Sequence, residues 1–198
     1  MNTPKQALYV TAILFSLTSA SCTSRMRDRT QYDAETYQGD GRMIDHGETA
    51  AMERFNLHLG KADFSKKRTL AFQMRNLPPV RFWIGFDLRD MPPLLPTSSD
   101  HQDFNLASVY IVLKTAEGET ILEDASPLSD WTWSGNMHGT RRFVYLRGQL
   151  GVENDEGSSF VPGPHQQYLL TVTITPLPGS KAIKPAELRM SGGGWKTL

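Results

Sequence analysis

The chain has one cysteine, Cys22, which excludes an internal disulfide framework and any multi-cysteine metal site. It has no surplus of either charge, since 21 Lys and Arg stand against 21 Asp and Glu. A nucleic-acid binder carries a clustered basic excess, so no nucleic-acid partner is expected. It has no apolar run of about 20 residues, the length a spanning helix needs. Past residue 50 it has no convincing helical period over about a dozen residues, which argues against an arrangement of alternating strands and helices.

Signatures of chemistry are equally scarce. The five histidines are His46, His58, His101, His138 and His165, and none forms a pair at metal-ligand spacing. Asp100-His101-Gln102-Asp103 would need ligands from other loops, and Glu153 to Gly157 lacks the alternating carboxylates of a calcium loop. Trp133-Ser134-Gly135 has one side of a nucleophile elbow, and Gly192-Gly193-Gly194 lacks the Lys and Ser or Thr of a phosphate loop. Asp87, Asp90, Glu123 and Asp130 could supply a carboxylate pair for glycoside hydrolysis only at a fixed separation that sequence does not show. No catalytic residue, metal or cofactor is therefore expected. An envelope hydrolase would require a cleft in which His138 or His101 meets a carboxylate or serine.

What is present begins with a leader. Lys5 precedes the apolar run Ala7 to Leu17, followed by the small residues Thr18 to Ser21. A charged start, a short apolar core and a small-residue cleavage zone describe a secretory signal peptide over residues 1–21. Cys22 stands where the small residues end, and this resembles the lipobox of bacterial lipoproteins. The resemblance implies a diacylglycerol on the cysteine sulfur, cleavage just before it, and acylation of the new amine. Two acyl chains give a stable anchor where one does not. The family usually has Leu three residues before the cysteine; here Ser19 holds that place and Leu17 lies two positions earlier. The alternative is cleavage after Ala20, with a free thiol near the mature end and a soluble periplasmic or secreted product. Thr23, not Asp, follows the cysteine, which by the family's sorting rule implies an outer-membrane address facing the periplasm.

Residues 22–50 read as a polar, flexible tether, with Arg25, Arg27 and Arg29 alternating with other residues and with Gly39-Asp40-Gly41 farther on. A brief helix is expected from Glu48 to Phe55, capped by Thr49. Residues 51–198 then form one domain with a period of two. Phe55, Leu57 and Leu59 alternate with polar residues, and so do Leu70, Phe72 and Met74. Phe82, Ile84, Phe86 and Leu88 share one face. Val109, Ile111 and Leu113 oppose Tyr110 and Val112, which reads as a strand buried on both sides. Glu117-Gly118 turns the chain toward Thr120 to Glu123. Arg142 to Arg147, Tyr168 to Thr175 and Glu187 to Met190 complete the set. Such runs, punctuated by 16 Gly and 12 Pro, predict an all-β fold, an antiparallel two-sheet β-sandwich. About seven to nine strands are expected, with a small β-barrel as the alternative.

Three surface features carry binding expectations. Met91-Pro92-Pro93-Leu94-Leu95-Pro96 cannot form a regular ladder, and its Met91, Leu94 and Leu95 either cover an open end of the sandwich or form a partner-binding ridge. Trp131 and Trp133, two apart on an extended segment, would share a face and could stack on a sugar, or else fill the core. Gly192-Gly193-Gly194 before Trp195 reads as a latch that lets the backbone approach a neighbour closely.

The leader with Cys22, the segment Ser126 to Ser134, the strand Tyr168 to Pro176 and the closing Gly-Gly-Gly-Trp-Lys resemble exported lipoproteins of Gram-negative bacteria. That resemblance implies a membrane anchor but brings no assigned activity with it. Together these features lead to the expectation of a non-catalytic binding lipoprotein that engages a protein partner in the cell envelope. An immunity protein or an envelope-assembly factor would fit. A carbohydrate-binding module and an envelope hydrolase are the alternatives.

Overall fold

The alternation of apolar and polar residues becomes two antiparallel sheets packed face to face. The computed structural model describes residues 27–51, 53–88, 106–135, 141–144, 159–179 and 185–194. Among these, twelve strands are formed: β1 (Gln38–Gly39), β2 (Arg42–Asp45), β3 (Phe55–Ala62), β4 (Arg68–Arg75), β5 (Phe82–Leu88), β6 (Ala107–Thr115), β7 (Thr120–Pro127), β8 (Thr132–Gly135), β9 (Arg141–Val144), β10 (Ser159–Phe160), β11 (Gln167–Pro176) and β12 (Ala186–Gly192). One sheet has five strands in the order β1-β4-β11-β6-β7. The other has seven, in the order β2-β3-β12-β5-β9-β8 with β10 added beside β5. The molecule is a β-sandwich, and neither sheet closes into a barrel.

The core is built from every second residue of the facing strands. Phe55, Leu57 and Leu59 of β3, Phe82, Ile84 and Phe86 of β5, and Leu188 and Met190 of β12 meet Val109, Ile111 and Leu113 of β6 and Leu170, Val172 and Ile174 of β11. Each fully buried side chain of this kind contributes about 1.5–3 kcal/mol relative to exposure. Tyr168 caps the core by a hydroxyl that accepts from the Gly163 backbone N–H (2.8 Å) and donates to the Gln166 side chain (2.6 Å).

Three expectations need correction. Residues 27–51 are part of the folded body, not a tether; residues 22–26 lie outside those described. β1 pairs with β4 and so extends the five-stranded sheet, while β2 pairs with β3 and extends the seven-stranded one. Tyr32, Tyr37 and Met43 pack against the core, and the Tyr32 hydroxyl donates to the Asn76 carbonyl (2.6 Å). Short strands and isolated aromatic anchors leave no periodic trace, so composition alone made this stretch look solvated. The expected helix from Glu48 to Phe55 is also absent among the described residues: Gly47 to Ala50 forms a turn and Phe55 already begins β3. The third correction concerns β6, which is buried on one side only. Its outward residue Tyr110 is 38% exposed.

Candidate functional site

Of the residues singled out in the sequence, Cys22, Met91, Leu94 and Leu95 lie outside the described residues, as do His101 and His138. Trp131 is buried, 4% exposed, with its ring 5.3 Å from Phe86 and its indole N–H donating to the Ser126 hydroxyl (3.1 Å). It is a core residue and cannot stack on a sugar, which removes one of the two indoles the glycan platform required. Trp133 is paired through its backbone with Phe143 in the β8–β9 ladder. The structure instead brings together three groupings that local sequence did not announce.

The first is a clamp at the N-terminal end of the body. Asp28 is buried between exposed Arg27 and Arg29. Its backbone N–H donates to the Glu48 carbonyl (2.9 Å), and its carboxylate accepts from the Thr30 N–H (2.9 Å) and the Gly194 N–H (2.7 Å). Arg54, at the entry to β3, holds Asp45 by two hydrogen bonds of 2.9 and 3.0 Å. The same guanidinium donates to the carbonyls of Asp28 (3.0 Å) and Thr30 (2.9 Å) and lies 4.6 Å from the centre of the Phe55 ring. Burial alone would raise the Asp28 pKa, but the hydrogen bonds from Gly194 and Thr30 and the nearby Arg54 charge outweigh it and hold the carboxyl below its usual value. Hydrogen bonding from Arg54 does the same for Asp45, against a smaller opposing effect of burial.

The glycine run is what lets β12 reach this clamp. A Cβ at Gly192 would lie 2.2 Å from the Arg81 carbonyl oxygen, and Gly193 and Gly194 adopt φ of +71° and +111°, which suit glycine. The expected latch is thus seen in its backbone contacts, while Trp195 lies outside the described residues.

The second grouping covers the outer face of the seven-stranded sheet. Arg189 of β12 contacts Asp87 of β5 (3.0 Å) and Glu53 (3.2 Å), with Arg189 and Asp87 both buried. Glu53 sits at φ +56°, a conformation costly for a residue with a side chain, and its N–H is held by the Gly193 carbonyl (2.9 Å). One strand position away, His58 Nδ1 lies 2.7 Å from the Glu187 carboxylate. A histidine oriented by a carboxylate is the base half of a catalytic triad. The only side-chain partner shown for that ring among the described residues is the Glu187 carboxylate, and no nucleophile is shown at hydrogen-bond distance from it. No cluster of three His, Cys, Asp or Glu side chains able to hold a metal occurs among the described residues.

The third grouping is the outer face of the five-stranded sheet, which carries exposed side chains among the described residues. The registers place Thr69, Thr173, Tyr110 and Ala125 in one row across β4, β11, β6 and β7. The next row is Ala71, Thr171, Val112 and Glu123, and beside it Leu169 lies opposite Lys114. Tyr110, Leu169 and Ile121 are 38%, 37% and 39% exposed. The Tyr110 hydroxyl donates to Glu123 (2.5 Å), which fixes the ring on the face and raises the phenol pKa above its ordinary value.

No protein-family model matches this chain, and no curated protein matches it. No helix among the described residues is long and apolar enough to cross a membrane.

Proposed function

We propose that this chain is an exported lipoprotein, acylated at Cys22, whose β-sandwich binds a protein partner at the periplasmic side of the outer membrane. The observation that carries the binding reading is the outer face of the five-stranded sheet. Tyr110, Leu169 and Ile121 are exposed there around Val112, Ala71 and a row of threonines. Isolated exposed apolar residues need no explanation, but three on one face of a rigid sheet, spaced around Val112 and Lys114, can serve together as contacts for a partner. The two faces differ in kind: on the seven-stranded sheet Arg189, Asp87, Glu53, His58 and Glu187 form ion pairs with one another, whereas the five-stranded sheet carries exposed Tyr110, Leu169 and Ile121. An immunity protein and an envelope-assembly factor are both binding proteins of this description. The leader ending at Cys22 supports the envelope address.

The test is capture from envelope extracts by the mature chain carrying Cys22→Ser, compared with the same chain bearing Leu169→Glu and Tyr110→Ser. Both positions are exposed, so the fold tolerates the changes, which circular dichroism checks. The reading expects a saturable protein partner lost in the double variant. A partner retained by that variant and lost on replacing Leu94 and Leu95 by serine would move the surface to the proline-rich segment Met91 to Pro96. No saturable partner at low or high salt would overturn the protein-binding reading.

A further inference from the structure

The clamp determines how a lipid anchor would hold the body. This inference rests on acylation of Cys22. Five residues separate Cys22 from Asp28, and extended chain covers at most about 3.3–3.6 Å per residue, so the leash reaches roughly 20 Å. Beyond it the chain is fastened. Asp28 is tied to Glu48, Thr30, Gly194 and Arg54, and these groups flank the end of β2, the start of β3 and the end of β12. From this clamp β3 runs eight residues, about 26 Å, to the Asp63–Lys67 turn at the opposite end. The leash is shorter than the body is long, so the clamp end stays nearest to the anchor.

The side chains at this end fit a headgroup surface. Arg27 and Arg29 are exposed on either side of buried Asp28. Arg27 has only a loose contact of 3.9 Å with Glu48, and both of those side chains are more than half exposed. Arg25 precedes them on the leash. Buried Asp28 is turned inward and exposed Glu48 offsets one of the two exposed arginines, so the outward charge of these side chains is net positive, which suits the anionic headgroups of the bilayer that holds the acyl chains.

The geometry points to a membrane-facing surface at the clamp end, with Arg27 and Arg29 on anionic headgroups and the strands standing away from the bilayer. The outer face of the five-stranded sheet is then presented sideways, toward partners lying at the same membrane surface. The clamp is what turns a flexible-looking N-terminus into an orienting mount.

The experiment uses the full chain, expressed with its leader, purified in detergent and reconstituted into vesicles of phosphatidylethanolamine and phosphatidylglycerol. Cys22 is the one native cysteine, so when it is acylated an introduced thiol is the single labelling site. A fluorophore is placed at Gln31→Cys, beside the clamp, or at Lys66→Cys, in the far turn, both at exposed positions. Quenching by nitroxide-headgroup lipid is then compared. Several-fold stronger quenching at position 31 than at 66 is expected, reduced by Arg27→Gln with Arg29→Gln and abolished by inserting about 20 flexible residues between Met26 and Arg27. Equal quenching at the two positions in protein whose intact mass shows acylated Cys22 overturns the orientation and leaves the lipoprotein reading standing. An intact mass with an unmodified Cys22 overturns both.

Discussion

Replacing Asp28 by alanine tests whether the N-terminal segment is fastened to the body or merely lies near it. The substitution removes the acceptors of the Gly194 N–H (2.7 Å) and the Thr30 N–H (2.9 Å) and a carboxylate 3.7 Å from Arg54. Hydrogen bonds to a charged group are worth about 1.5–3 kcal/mol each. Both N–H groups are near enough to solvent to be rehydrated, and Arg54 keeps Asp45 and two carbonyls, so the lower end applies. The expected loss is about 3 kcal/mol, which for a chain of this size lowers Tm by roughly 6–12 °C. Asp28→Asn keeps one acceptor oxygen and should lose about half as much. The assay is thermal unfolding of the mature Cys22→Ser chain by circular dichroism, with limited trypsin digestion read by mass alongside. In the parent, cleavage after Arg29 should be slow because the Asp28 and Thr30 carbonyls on either side are held by Arg54; in Asp28→Ala it should become fast. A loss below about 1 kcal/mol with cleavage after Arg29 already fast in the parent would show that residues 27–31 are a tether after all.

Three further outcomes follow from the same geometry. The hydrogen bonds to Asp28 and Asp45 hold both carboxyls below the ordinary carboxylate value in the folded state, so their stabilisation is full above that ordinary value and is lost as pH falls through their folded values. Arg54→Ala removes the hydrogen bonds that depress Asp45, so acid unfolding monitored by fluorescence should move to higher pH; an unchanged midpoint would contradict the assignment. Gly192→Ala places a Cβ 2.2 Å from the Arg81 carbonyl, a backbone atom with little freedom to move, and should cost at least about 1–3 kcal/mol in denaturant unfolding. Trp131→Phe loses the bond to Ser126 and part of the buried ring and should cost about 1–3 kcal/mol, while Trp131→Ala opens a larger cavity beside Phe86 and should cost about 3–5 kcal/mol. Equal effects of the two Trp131 changes would argue against its core position.

The long strands were legible because alternation over seven or more residues survives any tertiary context: β3, β4, β5, β6, β11 and β12 all carry it. β1, β2, β8 and β10 span two to four residues each, too few for a period to show. Residues 27–51 were misread for a related reason, since Asp28, Tyr32 and Tyr37 act as single anchors in a polar background. The clamp itself has no local signal: Gly194 reaches Asp28 across 166 residues, and Glu187 reaches His58 across 129. The outward residues of β6, Tyr110 and Val112, read as buried in the sequence, because an apolar residue on a strand reads the same whether it fills a core or awaits a partner. Trp131 shows the converse, where a promising exposed platform proved to be packing.

The central claim, that this body is carried on a lipid at Cys22, is tested most directly by the intact mass of the protein purified from the envelope in detergent. The account predicts a chain beginning at Cys22, lacking residues 1–21, and heavier than its amino-acid mass by a diacylglyceryl group and an amide-linked acyl chain. A chain beginning at Ser21, cut after Ala20, with an unmodified thiol at Cys22 would contradict it.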